Sequence, residues 1–582
     1  MRKSLLIAVF FGLSFYLISG TAHIEFQVDF PTPKIEVWGN YHKVVIPGLP
    51  NYGGVGKPCL PVKTCKVYIP PGKKVSGVRI QPLESKVLPG KYRIKPGGRF
   101  YPLISYPLKF TPSQPDPSVY SLRSLYPASP FKQMREMRFR GYSILPLVIY
   151  PLRYIPQEGK LIFYPRIKVE VFLEDETLRV RSLYRALPRD REILRKEVVN
   201  PQDIKSFPAP LSFKTSNLTG GPYDYVIITS SDLAKDFEPL RTHKEKRGLK
   251  ACIITLDFIE ANYEGRDLQE KIRNFIKDAY LTWHIDYVLL GGDTEVVPYR
   301  GVYGSCEGEV DEDIPCDLYY ACLDGDWDAD GDNVFGEPED EVDLIAEVYV
   351  GRAPVETPQE VENFCNKVIW YENSFSASYH KKFLLVGEKL SDDPPVWGGD
   401  FKDLIEALIP PQYEVSKRYD KLGNFNGNGE YIIQAINEGT HLINHIGHAD
   451  YWMVMWIGDW EFYDISGDPA DIQNDENFCF IYSQGCYAGA FDRGGFPGGT
   501  DECVGENFLR SQYGAFGVIM NSRYGWYDPE DIENSPSQVF DREFWDAVFN
   551  PQPLTTPSGL IRAILREIPA LSTTSTTSLT SL

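Results

Sequence analysis

His441-Leu442-Ile443-Asn444-His445-Ile446-Gly447-His448 and Phe478-Cys479-Phe480-Ile481-Tyr482-Ser483-Gln484-Gly485-Cys486 are two stretches of one design. Each is an apolar run of strand length that breaks at glycine and then presents a single reactive side chain. Open α/β sheets place their chemistry at such carboxyl ends of strands. A thiol and an imidazole on one rim can generate a nucleophile, because a neighbouring imidazole and the positive end of a following helix both lower a thiol pKa. His448 and Cys486 are therefore the candidate reactive pair. His441 and His445 are expected to pack within their strand.

Working outward, the same grammar of strands alternating with helices fills residues 223–550. One block is predicted from strands at Tyr225–Thr229, Lys250–Ile254 and Tyr287–Leu290 with helices at Ser231–Arg247 and Leu268–Ala279. A second begins at the strand Lys382–Val386. It continues through helices near Lys402–Leu408 and Tyr431–Asn437, the two reactive strands, a strand at Ala515–Met520 and a helix at Ser537–Phe549. Two side-by-side α/β subdomains are expected, residues 223–378 and 379–550.

The preceding text is different. Residues 23–180 are rich in Pro, Gly, Tyr and Val, with short alternating stretches such as Lys66-Val67-Tyr68-Ile69 and Ile167-Lys168-Val169-Glu170-Val171. That pattern predicts an all-β module of sandwich type, joined to the α/β part by a charged connector at 181–222. Residues 1–22 carry Arg2 and Lys3, an apolar stretch and then Gly20-Thr21-Ala22, the pattern of a secretory signal. An exported, secreted or cell-surface product is expected, with no stable membrane insertion after signal cleavage. Residues 551–582 end in Ser, Thr and Leu only, as in a disordered or truncated tail.

Charge divides the chain as composition does. Of 60 Lys and Arg and 80 Asp and Glu, residues 1–200 hold 32 basic against 14 acidic, and the remainder 28 against 66. Opposite signs favour docking of the two halves on one another. The basic residues are scattered and not in runs, which argues against nucleic acid as a partner. Ten cysteines in an exported chain admit disulfides. Cys59 with Cys65, and Cys306 with Cys316 or Cys322, are the close pairs, as bridges or as packed thiols.

At Gly447-His448, at Ser483-Gln484-Gly485-Cys486-Tyr487-Ala488-Gly489-Ala490-Phe491-Asp492, and over Ala515–Trp526 with Phe540-Asp541-Arg542-Glu543-Phe544-Trp545, the sequence resembles the gingipain-type cysteine peptidases, distant relatives of caspases and legumains. The resemblance covers roughly residues 223–550, and the β-rich segment before it resembles that family's propeptide. It implies a caspase-like α/β catalytic domain, made as a zymogen whose own propeptide is an intramolecular inhibitor, acting on protein or peptide substrates. In that family the thiolate attacks the scissile carbonyl and the histidine protonates the leaving amine, roles that fall here on Cys486 and His448. The oxyanion donors would be the amides of Cys486 and of Gly447 or Ala449. Ala449 departs from the family's usual glycine, and alanine tolerates positive φ poorly. That departure keeps open a catalytically inactive surface or interaction module of the same fold.

Four further readings complete the site. Asp293 and Glu295 follow the glycines that end the strand Tyr287–Leu290, and either one orients the His448 ring or merely caps a turn. The resemblance maps Asp317 onto the acid at the base of the primary specificity pocket, implying cleavage after Arg or Lys; alternatively Asp317 belongs to the adjacent acidic loop. Tyr524 and Trp526 are candidate pocket walls. That loop, Asp326-Trp327-Asp328-Ala329-Asp330-Gly331-Asp332 with Glu337, matches the calcium-loop template. It predicts structural Ca²⁺ on Asp326, Asp328, Asp330, Asp332 and Glu337, without the helices of an EF-hand. No organic cofactor is expected: no phosphate-cradling glycine loop, zinc-type Cys and His spacing or serine nucleophile elbow occurs.

Overall fold

The computed structural model describes residues 23–104, 110–176, 183–205, 218–306, 308–374, 378–458, 465–493 and 502–550. The expected signal segment, parts of the connector and the tail lie outside these residues.

Two parallel sheets carry the acidic part of the chain. The first has the order Ala251–Thr255, Tyr225–Thr229, Tyr287–Gly291, Tyr349–Ala353. The second has the order Glu414–Tyr419, Lys382–Gly387, Leu442–Ile446, Cys479–Ser483, Ala515–Ile519. Their central strands are mostly apolar because helices cover both faces of a parallel sheet. Leu442–Ile446 is buried along its whole length. Helices start where the local chemistry favours them: Thr357 and Glu360 form a capping box for Pro358–Asn373, and Asp267 caps Leu268–Thr282. Among the described residues no helix is long and apolar enough to cross a membrane.

In the second sheet the chain starts at Lys382–Gly387, steps outward to Glu414–Tyr419, and then crosses to Leu442–Ile446 on the other side. The crevice outside the carboxyl ends of a sheet at such a reversal of strand order is the usual binding position in open α/β folds. Glu388 follows one of the two flanking strands and Gly447-His448 the other.

The N-terminal module is antiparallel. His23–Asp29 and Lys73–Pro82 flank Arg166–Asp175, and Lys63–Ile69 pairs with Tyr142–Ile149. Side chains from both sheets, among them Ile24, Val169, Val67 and Leu145, share one core. The connector is only partly irregular: it carries the helix Pro188–Glu197. Buried Arg185 in the connector joins Asp190 on that helix to Asp286 beside the first sheet. The charge asymmetry is realised at the junction of the two parts, where Lys43 meets Asp531 at 3.4 Å and Glu533 at 2.9 Å. All ten cysteines are unbridged, including the close pairs Cys59 with Cys65 and Cys306 with Cys316 or Cys322.

Candidate active site

His448 and Cys486 emerge from adjacent parallel strands, with Leu442 opposite Phe480 and His445 opposite Ser483. A buried polar network ties the two strand ends together. His445 Nδ1 lies 2.9 Å from Ser483 Oγ, its Nε2 lies 3.0 Å from Glu388 Oε1, and the Gly485 N–H donates to the same Ser483 hydroxyl at 3.1 Å. The other Glu388 oxygen accepts the backbone N–H of His448 at 3.1 Å. Burial pushes the Glu388 carboxyl up to about 8 and the His445 imidazole down to about 3. Both groups are therefore neutral near pH 7, with the Glu388 O–H donating to His445 and His445 Nδ1–H donating to Ser483. Gly447 is required here, since a Cβ at that position would lie 2.2 Å from Glu388 Cδ.

A second network lies beneath the strands. Asp541, on the helix Pro536–Phe549, accepts from Lys402 at 2.6 Å, from Asn444 of the histidine strand at 2.5 Å and from Gln484 beside the nucleophile at 2.7 Å. Lys402, Asn444, Gln484 and Asp541 are all buried, and their shared bonds to one carboxylate fix the geometry, with Gln484 Oε1 left without a partner. Tyr487, immediately after Cys486, adopts φ +57°, a left-handed backbone at a bulky residue of the kind that collects at functional sites.

The N-terminal module reaches into this site. Tyr101–Pro102 pairs antiparallel with Trp526–Tyr527, and the Leu103 N–H donates to the Gly525 carbonyl at 2.8 Å. The Leu103 carbonyl oxygen accepts two backbone N–H groups, from Ala449 at 3.1 Å and from Cys486 at 3.3 Å. Two amides converging on one carbonyl oxygen beside a thiol are what an oxyanion of acyl transfer needs. Of the three expected donors, Ala449 and Cys486 supply these bonds and Gly447 does not. Ala449 is not among the residues with left-handed backbone, so alanine there costs no strain.

The Cys486 sulfur is fully buried and accepts the Gly525 N–H at 3.3 Å, while burial pushes its pKa upward. It is a protonated thiol in this state. The His448 ring turns its Nε2 to the Leu390 carbonyl at 3.2 Å and leaves Nδ1 buried without a hydrogen-bond partner. A nitrogen facing a carbonyl must carry the proton, so Nδ1 is the free base.

Two sets of expected site residues have other partners in this structure. Asp293 and Glu295 make no bond to His448: Asp293 accepts the Thr294 N–H at 2.7 Å and Glu295 the Thr294 hydroxyl at 2.7 Å. The ring is oriented by a main-chain carbonyl. Asp317 is engaged by Arg352, which bonds both its oxygens at 2.7 Å. Tyr524 and Trp526 flank Gly525, with their rings 5.4 Å apart, and so stand beside the strand that pairs with the module. Glu388 and Leu390 could not be identified from the sequence, since neither the Glu388–His445 contact nor a main-chain acceptor has a motif.

The acidic loop also takes shape. Oxygens of Asp328, Asp330 and Asp332 lie within 4.8 Å of one another. Glu337 feels the loop too: its carboxyl is raised by desolvation and by the charges of Asp332 and Asp330. Asp326 instead accepts the Asp328 N–H at 3.2 Å. Asp328 is shared with Arg266 and the Asn333 N–H. The loop is anchored by Asp340, absent from the template, which accepts the N–H groups of Ala329, Gly336 and Glu337.

The family model for peptidase family C25 matches residues 218–575. The chain belongs to peptidase family C25. Among curated relatives of this C25 chain, Lys-gingipain of Porphyromonas gingivalis is 23% identical over 520 residues, covering 86% of the chain and 27% of the relative. The chain thus spans about a quarter of the length of the curated relatives it matches. Among solved structures, the Arg-specific cysteine proteinase gingipain R aligns over 62% of this C25 chain and 76% of its own, with 17% identity and a TM-score of 0.46. The complex of the pro- and mature domains of RgpB from Porphyromonas gingivalis aligns over 60% and 75%, with 18% identity and the same score.

Proposed function

We propose that this chain is a cysteine endopeptidase with Cys486 as nucleophile and His448 as general acid and base, exported and held latent by its own N-terminal module. One observation carries the reading: the Leu103 carbonyl lies between the amides of Ala449 and Cys486 in a strand paired along the active-site rim. In the reaction, His448 Nδ1 takes the thiol proton and the sulfur attacks the scissile carbonyl. The two amides hold the oxyanion, the amine leaves with the proton from His448, and water then hydrolyses the thioester. The raised thiol pKa and the filled groove suit a latent precursor, since removing the strand readmits water and lets the thiolate form. Charge pairing of Lys43 with Asp531 and Glu533 supports the module as a docked inhibitor. Preference for Arg or Lys finds no support in this geometry, with Asp317 already paired.

The signal pattern at residues 1–22 supports export. The carboxylates of Asp328, Asp330, Asp332 and Glu337 fit one hard cation, with Asp326 adjoining; Ca²⁺ would neutralise them and stiffen the excursion that carries Asp317. The alternative of an inactive module loses its motive, because the Ala449 amide is a working donor. The test compares Cys486→Ala and native chains for maturation and for hydrolysis of denatured casein. Loss of both in Cys486→Ala is expected; unchanged hydrolysis by that variant would reject the assignment.

A further inference from the structure

Resting on that peptidase reading, we infer that the primary specificity site takes a leucine-class apolar residue before the cut, with an aromatic residue two positions earlier.

Leu103 has the pose of the residue before a scissile bond. Its carbonyl oxygen is in the amide pair, its N–H is on Gly525, and the chain runs on to Ile104, which bridges Ala449 in parallel. The direction and hydrogen bonding are those of a bound substrate, so the environment of its side chain describes the site that selects substrate. That side chain is fully buried. It belongs to an apolar cluster with Leu390, Phe401, Ile446 and Tyr527, against which half-buried Tyr487 and Tyr524 pack. Tyr101, two positions earlier, has its ring 6.2 Å from that of Tyr527 and 5.6 Å from that of Phe110.

Among the described residues, four carboxyl groups around this rim already hold partners. Asp317 is held by Arg352 through two bonds. Arg523 is divided between Asp311 and Asp492. Glu388 bonds His445 and the His448 amide, and burial keeps it protonated near neutral pH. A Lys or Arg side chain placed where Leu103 lies would lose its hydration among apolar side chains while Asp317, Asp311, Asp492 and Glu388 hold other partners, and an unpaired buried cation is expensive.

The test uses the full chain and its Leu103→Ala variant, in which the strand is loosened. Both are treated with chloromethyl ketones of a common Tyr-Pro-X frame, X being Leu, Lys, Arg or Asp. Alkylation forms a carbon–sulfur bond at Cys486 and expels chloride, and is followed by intact mass and peptide mapping. The Leu reagent should label Cys486 on the order of 100-fold faster than the Lys or Arg reagents, in the range that a mismatched pocket produces. Faster labelling by Lys or Arg reagents would overturn the apolar site while leaving the peptidase reading intact. Absence of labelling above an iodoacetamide background in both chains would overturn both. As a second variant, Leu103→Lys should label faster with the Leu reagent than the native chain, because a lysine holds the groove less well. Slower labelling would count against the inference.

Discussion

The His448 imidazole donates from Nε2 to the carbonyl of Leu390, 3.2 Å away, and that bond alone sets its tautomer. A main-chain acceptor does here what a carboxylate does in a serine-protease triad: it fixes which nitrogen is the base. Leu390 lies just beyond Lys382–Gly387, one of the two strands that flank the reversal in the second sheet, so the fold itself delivers the orienting group.

Asp293→Asn and Glu295→Gln should each leave kcat/KM of the mature enzyme within about threefold. An orienting carboxylate would instead cost about 10⁴-fold on removal. Peptide hydrolysis distinguishes the two, and a loss beyond about 100-fold would restore a carboxylate to the site.

Ala449→Gly keeps the amide and should retain activity within a few-fold, with stability lower by at most about 1 kcal/mol from added backbone freedom. Ala449→Pro removes the N–H that Leu103 engages and should lower kcat by about 10²–10³. Stopped-time hydrolysis assays with thermal melts separate loss of the donor from loss of the fold.

Glu388 should make stability pH-dependent. Its folded pKa, about 8, stands above the ordinary carboxyl value of 4.5, so folding takes up a proton between those limits. At Glu388 the unfolded chain then binds fewer protons, so this group's contribution to stability falls as pH rises from about 4.5 to about 8, opposed below about 6.5 by the lowered His445. Glu388→Gln keeps a donor and an acceptor but cannot titrate. Its denaturant midpoint should vary less over that window than the native one, and equal slopes would refute the assignment.

Calcium at one hundred times its dissociation constant should raise unfolding free energy by about 2.7 kcal/mol if one ion binds the folded loop only. Asp330→Asn with Asp332→Asn should abolish that increment, read by calorimetry with and without chelator. Asp340→Ala should destabilise the chain with or without the ion, by about 1.5–3 kcal/mol, because three backbone N–H groups lose a charged acceptor.

The sequence alone determined the parallel sheets and the two strand tips. A parallel strand covered on both faces is mostly apolar, with any polar member such as Asn444 or His445 paired, and glycine must stand where Glu388 and His445 press against Gly447. Those are local demands, and they leave local signatures. The edge strands Tyr349–Ala353 and Glu414–Tyr419 carry Arg352 and Lys417 with Arg418, and so left weaker signatures than the more apolar edges Ala251–Thr255 and Ala515–Ile519. Tertiary structure decided everything that depends on which distant group arrives. Arg352 closes on Asp317 across 35 residues, and Glu388 meets His445 across 57. Leu103 reaches the amide of Cys486 from a different module altogether. A carboxylate reads the same in sequence whether free or already paired, and a main-chain carbonyl has no sequence identity at all. The pairings along the rim therefore follow from packing, while the strand tips that carry His448 and Cys486 follow from sequence pattern.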